Sequence, residues 1–166
     1  MAYDAGPWQN FYVMTGGAAA ALTGLLFVAM SLHAKTIMSN LFYRNRAITT
    51  LMSLTSQLLL AGAVLIPGVS LNALGLLVEA AALFFLFVTI RAILIRGPEA
   101  SGVPVPWTRR IAELVGGSVW LVSFNAAGIS LLIRTGGGFY WLAAVMFVMF
   151  AWNIYVAWVL ITEISE

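Results

Sequence analysis

Long apolar segments divide this chain, and they constrain its fold more than any other feature. A helix that crosses a lipid bilayer needs about 20 mostly apolar residues. Five segments meet this requirement, at residues 11–32, 47–66, 71–95, 111–133 and 139–161. Because backbone polar groups find no water in lipid, each segment is expected to be a helix that satisfies its own hydrogen bonds. The sequence therefore predicts an all-α, polytopic transmembrane bundle of about five spans.

The composition argues against a soluble domain. Apolar residues make up 62% of the chain and charged residues 8%, against the ~45–50% and ~25% of soluble domains. The connections between the apolar segments are short, and Pro67 and Gly68 are typical residues for a tight turn between two of them. We therefore expect residues 1–166 to form a single integral membrane domain.

Several classes of function lack their usual residues. The chain has no cysteine and one histidine, His33, which argues against thiolate metal sites and against sites that need several imidazoles from one chain. The glycines at 136–138 lack the following Lys and Ser or Thr of a phosphate loop, and we find no catalytic triad pattern. The net charge of +2 comes without a basic run. We expect no enzyme activity, no cofactor, no metal and no nucleic-acid partner.

The cations predict an orientation in the membrane. Of the 8 Lys and Arg residues, all but Arg134 flank two connections that are separated by two spans. Those connections fall on one side of the membrane, and the positive-inside rule makes that side cytoplasmic. The N-terminus is then predicted outside and the C-terminus in the cytoplasm. These cations are Lys35, Arg44, Arg46, Arg91, Arg96, Arg109 and Arg110.

Glu79 is the first candidate for a functional residue. It lies eight residues into the third apolar segment, which corresponds to a depth of roughly 12 Å at 1.5 Å per residue. An acid at the centre of a membrane helix costs about 2.5–3.5 kcal/mol on insertion scales. It is therefore expected to face other helices or a watery cavity, and Gly75 and Ala82 on its own face are small enough for helix contact.

Two amides lie at a similar predicted depth. Asn125 is roughly 12 Å and Gln57 roughly 14 Å from the outer ends of their segments, by the same rise per residue. Together with Glu79 they are expected to form one polar layer. A carboxyl group with amide partners can relay a proton or replace the hydration shell of a cation.

A second polar layer is predicted nearer the cytoplasm. Counting residues from the ends of their segments places Ser53, Asn153 and Thr23 at a similar depth in the membrane. These side chains suit the lining of an ion path. The alternative is that they form hydrogen bonds between helices and have no other role, each worth about 0.6 kcal/mol on average in a membrane.

Small residues on the first segment indicate close helix packing. Gly16, Ala20 and Gly24 recur at a spacing of four, which places them on one helix face. Lipid provides no hydrophobic drive for helix association, so close backbone contact must supply the attraction. The sequence leaves open whether the partner helix belongs to the same chain or to a second copy.

One stretch resembles a known family. Residues 16–32 (GGAAAALTGLLFVAMSL), preceded by Trp8 and Phe11, resemble the opening of an uncharacterised family of small polytopic membrane proteins from high-GC bacteria. The resemblance implies a multi-pass protein of the bacterial inner (plasma) membrane. It implies no activity.

Three functions fit these residues. The first is a small homo-oligomeric channel or transporter for an ion or proton, with Glu79 as its key polar group. The second is a non-catalytic accessory or regulatory subunit of a larger membrane complex, in which aromatic residues of the last segment contact partner helices; these are Phe147, Phe150, Trp152 and Tyr155. The third is a lipid- or quinone-binding protein, with Met146 and Met149 lining an apolar pocket.

Overall fold

The computed structural model describes residues 2–95 and 122–165, which form helices joined by short turns and contain no strand. A short 3-10 helix, Gly6–Trp8, precedes the first α-helix. The α-helices, numbered in chain order, are α1 Gln9–Leu32, α2 Ala34–Ser39, α3 Leu41–Val64, α4 Leu71–Ile95, α5 Val122–Ile133 and α6 Phe139–Ser165.

These bounds agree with most of the predicted segments. α4 covers the predicted residues 71–95, and α1 ends at Leu32 as predicted. α3 starts six residues before the predicted residue 47, because polar residues such as Arg44 and Arg46 join the apolar helix. The predicted start of the fourth segment at residue 111 lies outside the described residues.

α2 is a helix that hydropathy did not predict. It has six residues, far fewer than a span, and follows α1 after the single residue His33. Asn40 separates it from α3 through an extended backbone conformation, φ −114° and ψ 116°. Ile37 of α2 is buried in an apolar cluster with Leu26 and Leu54, so tertiary packing holds this short helix.

Within residues 2–95 and 122–165, three helices are long and apolar enough to cross a membrane. They lie within Gly6–Leu32, Tyr43–Val64 and Phe139–Leu160. Shorter apolar stretches lie at Leu71–Phe87 within α4 and at Val122–Ile133. Large apolar side chains are also exposed on the surface; Leu25, for example, is 67% exposed. The prediction of an all-α chain is confirmed for the described residues, and their apolar helices are compatible with insertion into a membrane. The number of spans and their orientation stay predictions.

The turn between α5 and α6 depends on glycine. Gly136, Gly137 and Gly138 have φ values of 85°, 113° and 46°, a region that residues with a Cβ rarely adopt. The Ser130 hydroxyl donates to the Thr135 carbonyl and accepts from the Gly138 N–H at 2.9 Å. The glycines reverse the chain, and Ser130 fixes the turn to the end of α5.

Two compact units make up the chain. The first contains the described parts of Tyr3–Val69 and Met146–Glu166, and the second those of Ser70–Val145 with Ala2. In the first unit, a Cβ added to Gly16 would lie 3.0 Å from the Ala61 Cβ, which shows that α1 and α3 approach closely there. In the second unit, the buried side chains include Val78 and Ala82 of α4 and Leu131 of α5.

The contact at Gly16 can be tested by comparison with Gly17, its neighbour in sequence, which has open space around it. A Cβ on Gly17 would meet nothing within 4 Å. We expect Gly16→Leu to reduce the free energy of unfolding by about 1–3 kcal/mol, the usual cost of overpacking, and Gly17→Leu to leave it nearly unchanged. Unfolding in mixed micelles, followed by circular dichroism, measures both. Equal effects of the two substitutions would contradict the α1–α3 contact.

Candidate intramembrane polar site

Glu79 lies in the second unit, on α4, with its side chain partly buried. Its Oε1 atom is fully buried and has no hydrogen-bond partner among the described residues. The carboxyl group lies against Gly128, on α5. The acid of α4 therefore points towards the backbone of α5.

Gly128 makes this approach possible. A Cβ added to Gly128 would lie 2.5 Å from Oε1 of Glu79 and 3.0 Å from its carboxyl carbon. Since carbon and oxygen atoms do not approach so closely without a bond, the carboxyl group occupies the space that a side chain at position 128 would fill. The site consists of an acid packed against a glycine of the neighbouring helix.

A second glycine continues the same helix crossing. A Cβ on Gly75, one turn before Glu79 on α4, would lie 2.7 Å from Leu132 Cγ and 3.3 Å from the Gly128 carbonyl oxygen. The helices α4 and α5 therefore approach with little side-chain volume between them at these positions. Gly75 was expected to support helix contact, and the structure places it in one.

Sequence reasoning missed Gly128. It follows Asn125, Ala126 and Ala127 in a run of small residues, and that run was the available signal. Asn125 is partly buried on α5, one turn before the residues that contact Glu79. Gln57, the third member of the predicted layer, belongs to the other unit, so the layer of Glu79, Asn125 and Gln57 stays a prediction.

Ser53 and Asn153 meet in the first unit. The Asn153 Nδ2 atom of α6 donates a hydrogen bond to the Ser53 Oγ atom of α3 at 2.9 Å, and Asn153 is 3% exposed. Thr23, expected at the same depth, donates instead to the Ala19 carbonyl of its own helix at 2.8 Å. This hydroxyl bonds back along its helix, as threonine commonly does in helices.

Gln57 lies one turn from Ser53 on α3 and is the most deeply buried of the predicted polar residues at 1% exposed. Its Nε2 and Oε1 atoms are both buried, without a hydrogen-bond partner in the described parts of the chain. A buried primary amide in this state is unusual, since most buried polar atoms are satisfied.

The predicted packing residues of α1 divide between two environments. Gly16 is buried against Ala61, whereas Ala20 and Gly24 are exposed. A Cβ on Gly24 would meet nothing within 4 Å. Ala20 and Gly24 therefore remain available to lipid or to another chain, and their role in helix packing stays a prediction.

The Ser53–Asn153 bond can be measured directly. We expect a double-mutant cycle with Ser53→Ala and Asn153→Ala to give a coupling free energy of about 0.6 kcal/mol, the average for such bonds in a membrane protein. Unfolding of the single and double variants in mixed micelles provides the four values. A coupling indistinguishable from zero would contradict the bond.

No group of three or more His, Cys, Asp or Glu residues that could hold a metal ion occurs within residues 2–95 and 122–165. Comparison with protein-family models gives no match to this chain, and neither do comparisons with curated proteins and with solved structures. The site must therefore be interpreted from its own residues.

Proposed function

We propose that this chain is a small homo-oligomeric membrane channel or transporter for a proton or small cation, with Glu79 as the group that binds the ion. The observation that supports the proposal is the Glu79 carboxyl group, which lies on an apolar helix with a buried oxygen against Gly128. An ionisable residue within a membrane helix is costly, and such residues mark ion pathways and proton relays.

The contacts of Glu79 suit reversible binding. The position next to Gly128 brings the acid close to the α5 backbone. A carboxyl group with a buried oxygen that lacks a hydrogen-bond partner among the described residues can accept and release a proton without the loss of a strong hydrogen bond at that oxygen. The same carboxylate can serve as one oxygen ligand of a passing cation, which needs binding strong enough to enter and weak enough to leave.

The proposed setting is a bacterial inner membrane, crossed by five spans with the N-terminus outside and the C-terminus in the cytoplasm. The distribution of Lys and Arg along the sequence supports this orientation, and the resemblance of residues 16–32 supports the location. The exposed Ala20 and Gly24 of α1 support a homo-oligomer, because small residues let helices of two copies approach.

A second candidate is a non-catalytic accessory subunit of a larger membrane complex. The aromatic side chains of α6 favour it, since Trp152 and Tyr155 are exposed and their rings contact each other at a centroid distance of 5.8 Å. Large aromatic side chains supply much of the contact energy where proteins meet. This candidate requires no ion path and predicts that the isolated chain transports nothing.

Ion flux into liposomes that contain the purified protein tests the first candidate. A pH-sensitive dye enclosed in the liposomes reports proton entry, and ion-selective dyes report Na⁺ and K⁺. Wild-type protein is compared with Glu79→Gln and with protein-free liposomes. Flux that depends on Glu79 supports the channel or transporter, and the absence of any flux from an intact oligomer favours the accessory subunit.

A further inference from the structure

The polar side chains of α3 differ in whether the helix itself satisfies their hydrogen-bonding groups. The hydroxyl groups of Thr50, Thr55 and Ser56 each donate to the carbonyl four residues earlier in the helix, all at 2.8 Å. Gln57 differs, since both of its side-chain polar atoms are buried and lack a partner among the described residues. These three hydroxyl groups are satisfied within the helix, whereas the Gln57 amide needs a partner from outside it.

The helix backbone cannot supply that partner for the amide oxygen. Oε1 of Gln57 only accepts hydrogen bonds, and within a helix each backbone N–H already donates to the carbonyl four residues earlier. A donor must therefore come from another element or from a bound molecule. At 1% exposed, Gln57 also cannot reach bulk water or lipid headgroups.

A polar pair on this face of α3 is Ser53 with Asn153. Ser53 lies four residues before Gln57 and hence on the same side of the helix, at a rise of roughly 6 Å. Neither amide atom of Gln57 forms a direct hydrogen bond to this pair, so a small molecule with a donor and an acceptor is needed to join them. Ser53 accepts from Asn153 and retains its own hydroxyl proton to donate.

We propose that the first unit contains an internal water site, in which a bound water molecule bridges the Gln57 amide and the Ser53–Asn153 pair. Water is the ligand because it both donates and accepts, and because buried waters in proteins typically make about three hydrogen bonds to otherwise unsatisfied polar groups. Gln57 and Asn153 are 1% and 3% exposed, so the water is enclosed and exchanges slowly with solvent.

The water site stands apart from the proposed ion-binding role of Glu79. Gln57, Ser53 and Asn153 belong to the first unit and Glu79 to the second. One proposal can therefore be wrong while the other holds. Flux that depends on Glu79 does not require a water molecule at Gln57, and a water molecule at Gln57 does not require any transport.

The chain offers an unusually clean test, because Gln9 and Gln57 are its two glutamines. Protein labelled with ¹⁵N at glutamine, otherwise deuterated and placed in lipid nanodiscs, gives side-chain NH₂ signals from these two residues alone. Gln9 is exposed and serves as the control in contact with solvent. We expect the Gln57 NH₂ group to show cross-peaks to water with opposite signs in nuclear and rotating-frame Overhauser spectra, which identifies water that stays bound.

Exchange through a nearby hydroxyl group can produce a similar cross-peak. Ser53→Ala removes the hydroxyl group one turn before Gln57 on the same side of the helix. The cross-peak is expected to persist in that variant, since Gln57 and Asn153 still hold the water. Loss of the cross-peak in Ser53→Ala would overturn the proposal, because the signal then came from the hydroxyl proton. A wild-type Gln57 without any water cross-peak, beside a Gln9 that shows one, would overturn it as well.

Discussion

Glu79→Gln is expected to reduce ion flux into liposomes to the level of protein-free liposomes, a change of at least about tenfold. Tenfold corresponds to about 1.4 kcal/mol in the barrier to transport. The substitution keeps the shape of the side chain and so keeps the packing against Gly128, but it removes the group that binds and releases a proton. A retained fold with lost flux is therefore the predicted combination.

A matched acid outside the membrane provides the control for this variant. Asp4 is exposed near the N-terminus, where its carboxylate accepts a hydrogen bond from the Gly6 N–H at 3.0 Å. Asp4→Asn removes the same charge and is expected to leave the flux unchanged. If both variants lose flux equally, the effect reports surface charge and the assignment of Glu79 is wrong.

Glu79→Asp adds a second measurement of the same site. The aspartate keeps the ionisable group but ends one carbon short of the position next to Gly128. We expect partial flux from this variant, between the wild-type and Glu79→Gln values. Full flux from Glu79→Gln, which has no ionisable group at all, would contradict the proposed function whatever the aspartate shows.

The helices were predictable from sequence because lipid imposes a length and a polarity on each of them. α4 starts at Leu71, just after the turn that Pro67 and Gly68 predict, and it covers the predicted residues. Such signals lie within single segments and need no knowledge of neighbours. α2 has no such signal, because its six residues depend on Ile37 packing against other elements.

Residues of the candidate site were predictable from sequence where their free-energy cost in an apolar segment does not depend on their neighbours. Glu79 is conspicuous in any apolar segment because a buried acid is expensive. Counting residues from the helix ends predicted Ser53 and Asn153 at one depth. The count has physical meaning because helices of one bundle share the thickness of the same membrane. In the structure a hydrogen bond joins these two residues.

Gly128 was not predictable in this way. A glycine carries no charge and no side-chain donor, and its importance comes from the carboxyl group of a different helix that occupies the space beside it. Gly24 has the same identity and open space around it. The difference between these two glycines lies in their neighbours, so it needed the structure.

Gly128→Ala tests that difference and is expected to affect both the fold and the flux. The new methyl group would lie 2.5 Å from Oε1 of Glu79 and 3.1 Å from its Cγ, so the carboxyl group must move away from α5. Alanine alone favours a helix over glycine by about 0.8–1.0 kcal/mol. We nevertheless expect a net loss of about 1–3 kcal/mol from overpacking, together with flux that falls as in Glu79→Gln.

Two comparisons isolate the contact between Gly128 and Glu79 from a general effect of alanine. Gly24→Ala meets nothing within 4 Å and is expected to keep both stability and flux. In a Glu79→Ala background the new methyl group has no carboxyl group to displace, so Gly128→Ala should cost less there, with a coupling free energy of about 0.5–3 kcal/mol. A cost that is the same with and without the Glu79 side chain would mean that the methyl group is resisted by the helix crossing itself. The carboxyl group would then not occupy the space beside Gly128, and the proposed ion site would lose its structural basis.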